Sequence, residues 1–146
     1  MTAKEYLNKI ATYRRALDDL AWKIEALYQE AGGLKAIVYD KDRVQVSPEN
    51  KFEQMMMKVE VEAQKWARMK VRYEKEVRKR IDQIDRLSNP DHAEILRLRY
   101  VDLKQDGRQR TLEEISVKIG LSFYRTAHLH GEALAEFSRR YKLSKH

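Results

Sequence analysis

The chain has 146 residues, enough for one ordinary domain or two small ones, and carries 30 Lys and Arg against 23 Asp and Glu, a net charge of +7. It has no cysteine, which excludes disulfide frameworks, thiol nucleophiles and cysteine-based zinc sites. The composition is 36% charged and 42% hydrophobic with only 5 Gly and 2 Pro, and periodic apolar spacing within it predicts a folded, helical protein.

Other classes fall away at the same stage. No apolar run reaches the roughly 18 residues of a membrane span, and the start lacks the apolar core of a signal peptide, so a cytoplasmic chain with no membrane contact is expected. His92, His128, His130 and His146 lack the spacing that sets two ligands on one helical face, so no metal is expected. There is no Gly-rich phosphate loop, Gly-x-Ser-x-Gly elbow, nucleophile-base pair or carboxylate dyad, and neither a cofactor nor an enzyme is expected.

Thr2 and Glu5 have capping-box spacing. Tyr6, Ile10, Tyr13, Leu17, Leu20, Ile24, Leu27 and Ala31 then alternate steps of four and three, a heptad seam that predicts one helix over about 4–31, stopped by Gly32 and Gly33. Residues 34–47 have no helical period and read as a loop, since Val44 and Val46 alternate too briefly for a strand. Ser47 and Pro48 look like an N-cap and first helical residue, opening a second helix to about Leu87. Its series Phe52, Met56, Val59, Ala63, Trp66, Met69, Tyr73, Val77, Ile81 and Ile84 fits a straight 3.6-residue period, because strict heptads would put Lys70 and Arg80 on the seam.

Two such helices joined by a short loop predict a long antiparallel hairpin, coiled-coil-like, over 1–88. The second helix is about a dozen residues longer on this reading. Its overhang would leave apolar surface for another domain or subunit, and since helix-turn-helix proteins commonly read paired half-sites a homodimer is expected. Trp22, Trp66 and Met55 to Met57 read as core packing or helix pairing.

Asn89 and Pro90 open the next segment, 89–146. A helix holding Ile95, Leu96, Leu98 and Tyr100 fades before the polar stretch Lys104 to Gly107, and Thr111 with Glu114 forms a second capping box ahead of Leu112 to Ile119. Gly120, Leu121 and Ser122 lead into a last helix from Phe123 to about Tyr141. Two short helices across such a turn predict a helix-turn-helix, with Ile115, Ile119, Leu121, Thr126 and Leu129 inward and small Ser116 at the close approach. A core helical hairpin with no DNA contact is the plainer alternative. Ser122 at the start of the last helix, with Tyr124, Ala127, His128 and Gly131 outward and Phe123 and Arg125 at the edges, are the candidate DNA-reading residues.

Ile95-Leu96-Arg97-Leu98-Arg99-Tyr100, Thr111-Leu112-Glu113-Glu114-Ile115 and Ile119-Gly120-Leu121-Ser122, followed by Ala133-Leu134, resemble region 4 of bacterial sigma factors, which reads the upstream promoter element. With the opening Met1-Thr2-Ala3-Lys4-Glu5-Tyr6-Leu7, Asp42-Arg43-Val44-Gln45 and His128-Leu129-His130-Gly131-Glu132-Ala133-Leu134, nearly the whole chain resembles small phage and prophage proteins of Gram-positive bacteria, related to ArpU/RinA-type late transcription regulators. The resemblance implies a sigma-like DNA-binding domain behind a helical hairpin, acting on double-stranded DNA in a bacterial host, with host RNA polymerase as a second candidate partner. In the sigma pattern arginines stand at the positions of Phe123 and Ala127, a glutamate at that of Tyr124 and a glutamine at that of His128. The resemblance therefore carries over the scaffold and not those base contacts.

Charge points the same way. Residues 65–80 hold eight basic side chains against Glu74 and Glu76. Lys65, Arg68, Arg72, Lys75 and Lys79 form a stripe at steps of three and four, read as about 100° round the helix from the apolar series, and are candidate contacts for the DNA backbone. A solvated helix face, with Glu74–Arg78 and Glu76–Arg80 as i,i+4 pairs, is the plain alternative. The sequence thus predicts a sequence-specific DNA-binding regulator, with a packaging protein of small-terminase type, assembled as a ring, as the competing reading.

Overall fold

The computed structural model describes residues 1–39 and 48–144. Within them every regular element is helical: α1 (Ala3–Tyr39), α2 (Pro48–Asp85), α3 (Pro90–Leu96) running on into a π-helical turn (Arg97–Val101), α4 (Leu112–Ile119) and α5 (Phe123–Arg140). One isolated bridge joins Thr2 to Ser144. The expected all-α class holds, and none of these helices is long and apolar enough to cross a membrane.

Local chemistry fixes most starts. The Glu5 amide donates to Thr2 Oγ1 at 3.2 Å while the Thr2 amide donates to Glu5 Oε2 at 3.0 Å, closing the box ahead of α1. Asn89 accepts from the Asp91 amide with Pro90 in the first turn of α3, and Thr111 and Glu114 cap α4 reciprocally. Pro48 opens α2, while the expected cap Ser47 lies outside the described residues, as do Val44 and Val46. Gly32 and Gly33 do not stop α1, which continues to Tyr39, so the expected loop is helical over 34–39. Neither glycine has a positive φ, and each costs a helix only about 1 kcal/mol against alanine, too little to end one by itself. As a result α1 and α2 have 37 and 38 residues, and the expected surplus length of the second helix is absent.

The chain divides into two compact units, Met1–Arg15 with Tyr73–His146, and Ala16–Arg72. The Ser88–Pro90 junction lies inside the first. Its core is built from Leu7 and Ile10 of α1, Ile84 of α2, Ile95 and Leu96 of α3, Tyr100 of the π turn, Ile115 of α4 and Phe137 of α5, all fully buried. Five of the seven residues from Ile95 to Val101 are buried, more than one α-helical face can hold. The wider π turn, closed by the Asp102 amide on the Arg97 carbonyl at 2.8 Å, brings Leu98, Tyr100 and Val101 inward as well. Between α1 and α2, Tyr6 Oη donates to Gln83 Oε1 at 2.6 Å and Tyr13 stacks on Tyr73 at 4.7 Å. Partners on α2 step back as α1 advances, so the two segments run antiparallel here.

Arg80 corrects the sequence reading. It is buried, with its guanidinium between the Tyr6 and Tyr13 rings and hydrogen-bonded to Glu76 Oε2 at 2.9 Å. Strict seven-residue spacing is therefore kept at this position, and the charge is accommodated by aromatic faces and acceptors.

In the unit Ala16–Arg72, Leu20, Ala31 and Val59 are buried. Trp66 Nε1 donates to the Leu17 carbonyl at 3.2 Å, and Lys23 pairs with Glu62 at 3.1 Å. Lys70 is exposed and lies over the Trp66 ring at 4.9 Å. Trp22, expected in packing, is 76% exposed, and Met57 is exposed too, whereas Met55 and Met56 are half-buried.

Candidate nucleic-acid interface

The turn between α4 and α5 is set by three residues. Gly120 adopts φ 75°, which an L side chain resists, and its amide and that of Leu121 both donate to the Ser116 carbonyl, at 2.9 and 3.1 Å. Ser116 is buried, so no bulk opposes the close approach. Ser122 then caps α5, accepting from the Arg125 amide at 3.1 Å. Its oxygen is committed to the helix start, which makes it a cap ahead of any DNA contact.

On α5, Thr126 is fully buried with Oγ1 donating to the Ser122 carbonyl at 2.9 Å. Ile115 is buried opposite it, and Ile119 and Leu129 are half-buried. Leu121, expected inward, is 40% exposed, because the left-handed glycine turns the next residue toward solvent. Phe123, Tyr124, Arg125, His128 and Gly131 are exposed, Tyr124 at 78%, and Ala127 is half-buried. The outward face expected from helical rotation is thus brought together over the first two and a half turns of α5, apart from half-buried Ala127.

Two of its polar groups already have partners. His128 Nε2 meets Glu132 Oε1 at 2.8 Å, and the Tyr124 and His128 rings lie parallel at 6.4 Å. Glu132 also approaches His92 Nε2 at 3.6 Å, and His92 Nδ1 meets Glu136 at 3.3 Å. Toward α3 the helix borders a cleft lined by Asp91, Glu94, Ile95, Arg125, Leu129 and Glu132 among others. Three carboxylates there repel phosphate, whereas the Phe123–Tyr124 end of α5 has none at its tip. Asp91 and Glu94 come from α3, so rotation about α5 does not bring them to this face; for Glu132 the i,i+4 spacing from His128 was a signal in the sequence.

α5 is anchored from behind. His130 Nε2 is 2.9 Å from the hydroxyl of fully buried Tyr100. Burial, then the charges of Arg99 and Lys4, push the His130 pKa down to about 4, and burial pushes Tyr100 up to about 12. The imidazole is therefore neutral and the phenol donates to it.

The basic stripe lies on α2, with Lys65, Arg68, Arg72, Lys75 and Lys79 all exposed. Arg68 follows buried Val59 by nine residues, half a turn beyond two full turns, and so faces away from it, whereas Lys79 directly precedes buried Arg80 and stands about 100° from it. Lys65, Arg68 and Arg72 belong to the unit Ala16–Arg72, Lys75 and Lys79 to the unit that carries α5. Arg80 holds the Glu76 carboxyl below its ordinary range by hydrogen bonding, and Lys79 and Lys75 add to the effect. Among the described residues no group of three or more His, Cys, Asp or Glu is gathered as a metal site requires. No family model matches the chain, and no curated protein or solved structure does.

Proposed function

We propose that the chain is a sequence-specific DNA-binding transcription regulator of phage or prophage type, a long antiparallel helical hairpin joined to a helix-turn-helix that resembles sigma region 4. The observation that carries this reading is the α4–α5 turn. Gly120 in the left-handed conformation and Ser122 as cap hold Ile115 and Thr126 inside and leave Phe123, Tyr124, Arg125 and His128 exposed along the start of α5. The N-terminal turns of a second helix are where such modules meet base edges in the major groove.

The side chains suit that groove in kind. The Tyr124 hydroxyl and Arg125 offer hydrogen bonds, Ala127 and Gly131 allow close approach, and Phe123 matches the thymine methyl group. Lys75 and Lys79, exposed in the same unit, are the backbone contacts we infer for it. Double-stranded DNA is the partner.

The test is selection of bound fragments from the surrounding genome, followed by titration of the enriched duplex with the intact chain and with Tyr124→Ala. The reading expects an enriched motif and a loss of about 1–3 kcal/mol on that motif for the variant, with random duplex bound equally by both. No enrichment over random sequence contradicts it.

A further inference from the structure

The unit Ala16–Arg72 presents two exposed helix faces of opposite charge. On α1, Trp22 stands nine residues from buried Ala31 and so points to the opposite side of the helix. Asp18, Asp19 and Glu25, three or four positions from it, are exposed and surround the indole with carboxylates. On α2, Arg68 faces away from buried Val59 in the same sense. Met57 and Val61, 65% and 60% exposed, precede it by eleven and seven residues and share its face, with exposed Lys58 and Lys65 along one edge and Glu53 and Glu60 along the other. The two helices meet through other positions, Trp66 on the Leu17 carbonyl and Lys23 on Glu62, so neither face is used between them.

We propose that the Trp22 face of α1 docks onto the Met57, Val61 and Arg68 face of α2 in a second copy of this chain. Charge complementarity selects the occupant. Two Trp22 faces brought together would oppose six carboxylates, and two Arg68 faces would oppose Lys58, Lys65 and Arg68 of each copy with only Glu53 and Glu60 at the Met57 edge to answer them, whereas one of each sets Asp18, Asp19 and Glu25 against the three cations. An exposed indole between Met57 and Val61, with a guanidinium over its ring, is the combination that dominates binding energy in protein interfaces. DNA phosphates would satisfy Lys65 and Arg68 but leave Met57 and Val61 in water. The contact is independent of the DNA reading and goes beyond it.

Trp22 points away from buried Ala31 and Arg68 away from buried Val59, on opposite outer sides of the helix pair, so one partner cannot engage both faces of a copy and the contact is heterologous. It leaves one unused face at either end of a pair and generates a ring or an open chain, not a two-fold dimer. α1 and α2 are of nearly equal length, so the overhang that would have supported a homodimer is absent.

The experiment is sedimentation velocity on the intact chain, on Trp22→Glu, on Arg68→Glu and on a 1:1 mixture of the two variants, each from 1 to 100 micromolar. Both substitutions are at exposed positions, and circular dichroism verifies that helicity is retained. The intact chain is expected to form species larger than a dimer. Each variant alone lacks one of the two faces in every copy and is expected to associate at least about tenfold more weakly. The mixture pairs the sound α2 face of Trp22→Glu with the sound α1 face of Arg68→Glu and is expected to stop at a 1:1 pair. A monomeric intact chain at 100 micromolar, a two-fold dimer that survives both substitutions, or a mixture no more associated than its components overturns the proposal. So does an Arg68→Glu variant that loses affinity for DNA while self-associating as the intact chain does.

Discussion

The Arg80 guanidinium lies 4.0 Å from the centre of the Tyr6 ring, and its Nε donates to the Tyr6 carbonyl at 2.9 Å. One α2 side chain thereby grips both the ring and the backbone of α1. Arg80→Ala removes the stacking and leaves buried acceptors unpaired, and a loss of about 2–4 kcal/mol in urea unfolding is expected. Arg80→Lys recovers little of it, because an ammonium cannot both stack flat and donate in a fixed fork. Equal stability of Arg80→Ala and the parent would show that the burial contributes nothing.

His130 makes stability depend on pH in a definite window. Its imidazole titrates at about 4 when folded and near its ordinary 6.5 when unfolded, so between these values the unfolded chain binds the extra proton. Stability is highest above 6.5 and falls toward pH 4, by up to about 3 kcal/mol from this group. Glu76 and Asp85, held below their ordinary 4.5 and 3.8 by Arg80 and Arg97, add losses that begin near those values and grow in more acid solution. Unfolding measured at pH 7, 5.5 and 4.5 should show a shallower profile for His130→Phe than for the parent. Parallel profiles would count against the buried neutral histidine.

The glycines should divide by backbone conformation. Gly120 has φ 75° with nothing within 4 Å of an added Cβ, so Gly120→Ala costs backbone strain alone, about 1–2 kcal/mol. Gly33 and Gly131 are helical with the same open space, and alanine at either should stabilise by about 0.5–1 kcal/mol. Thermal unfolding of the three variants checks both signs, and a destabilised Gly33→Ala would mean that the helix of α1 does not pass through it.

How much of this was legible in the sequence followed from how local each feature is. The Thr2–Glu5 and Thr111–Glu114 boxes, the Asn89–Pro90 start and the Gly120 turn depend on residues a few positions apart, and each formed as read. Arg80 reads from sequence as a charge off the seam, because its burial depends on Tyr6 and Tyr13, far off in sequence. Gly32 and Gly33 read as a stop because glycine is a poor helix former, yet a cost of about 1 kcal/mol each is too small to end α1. The π turn had no signal, since its cause is the number of apolar residues from Ile95 to Val101 that the core accepts. At the candidate interface, rotation about α5 identified the exposed side chains, but not the acids on α3 or the turning out of Leu121.

Lys75 and Lys79 give the DNA reading an electrostatic check. If each meets a phosphate, changing both to Ala should flatten the dependence of log affinity on log salt by about two units and weaken specific and random duplexes alike. An unchanged slope would remove both residues from the interface.

The central claim is that the start of α5 reads sequence, and the direct measurement is fluorescence anisotropy of the intact chain on its selected duplex and on a scrambled duplex of equal length, at 150 mM salt. At least about a thousandfold preference for the selected duplex is expected. Tyr124→Ala and His128→Ala are each expected to remove about tenfold or more of that preference without changing affinity for the scrambled one. Equal affinity for the two duplexes would contradict sequence reading by α5.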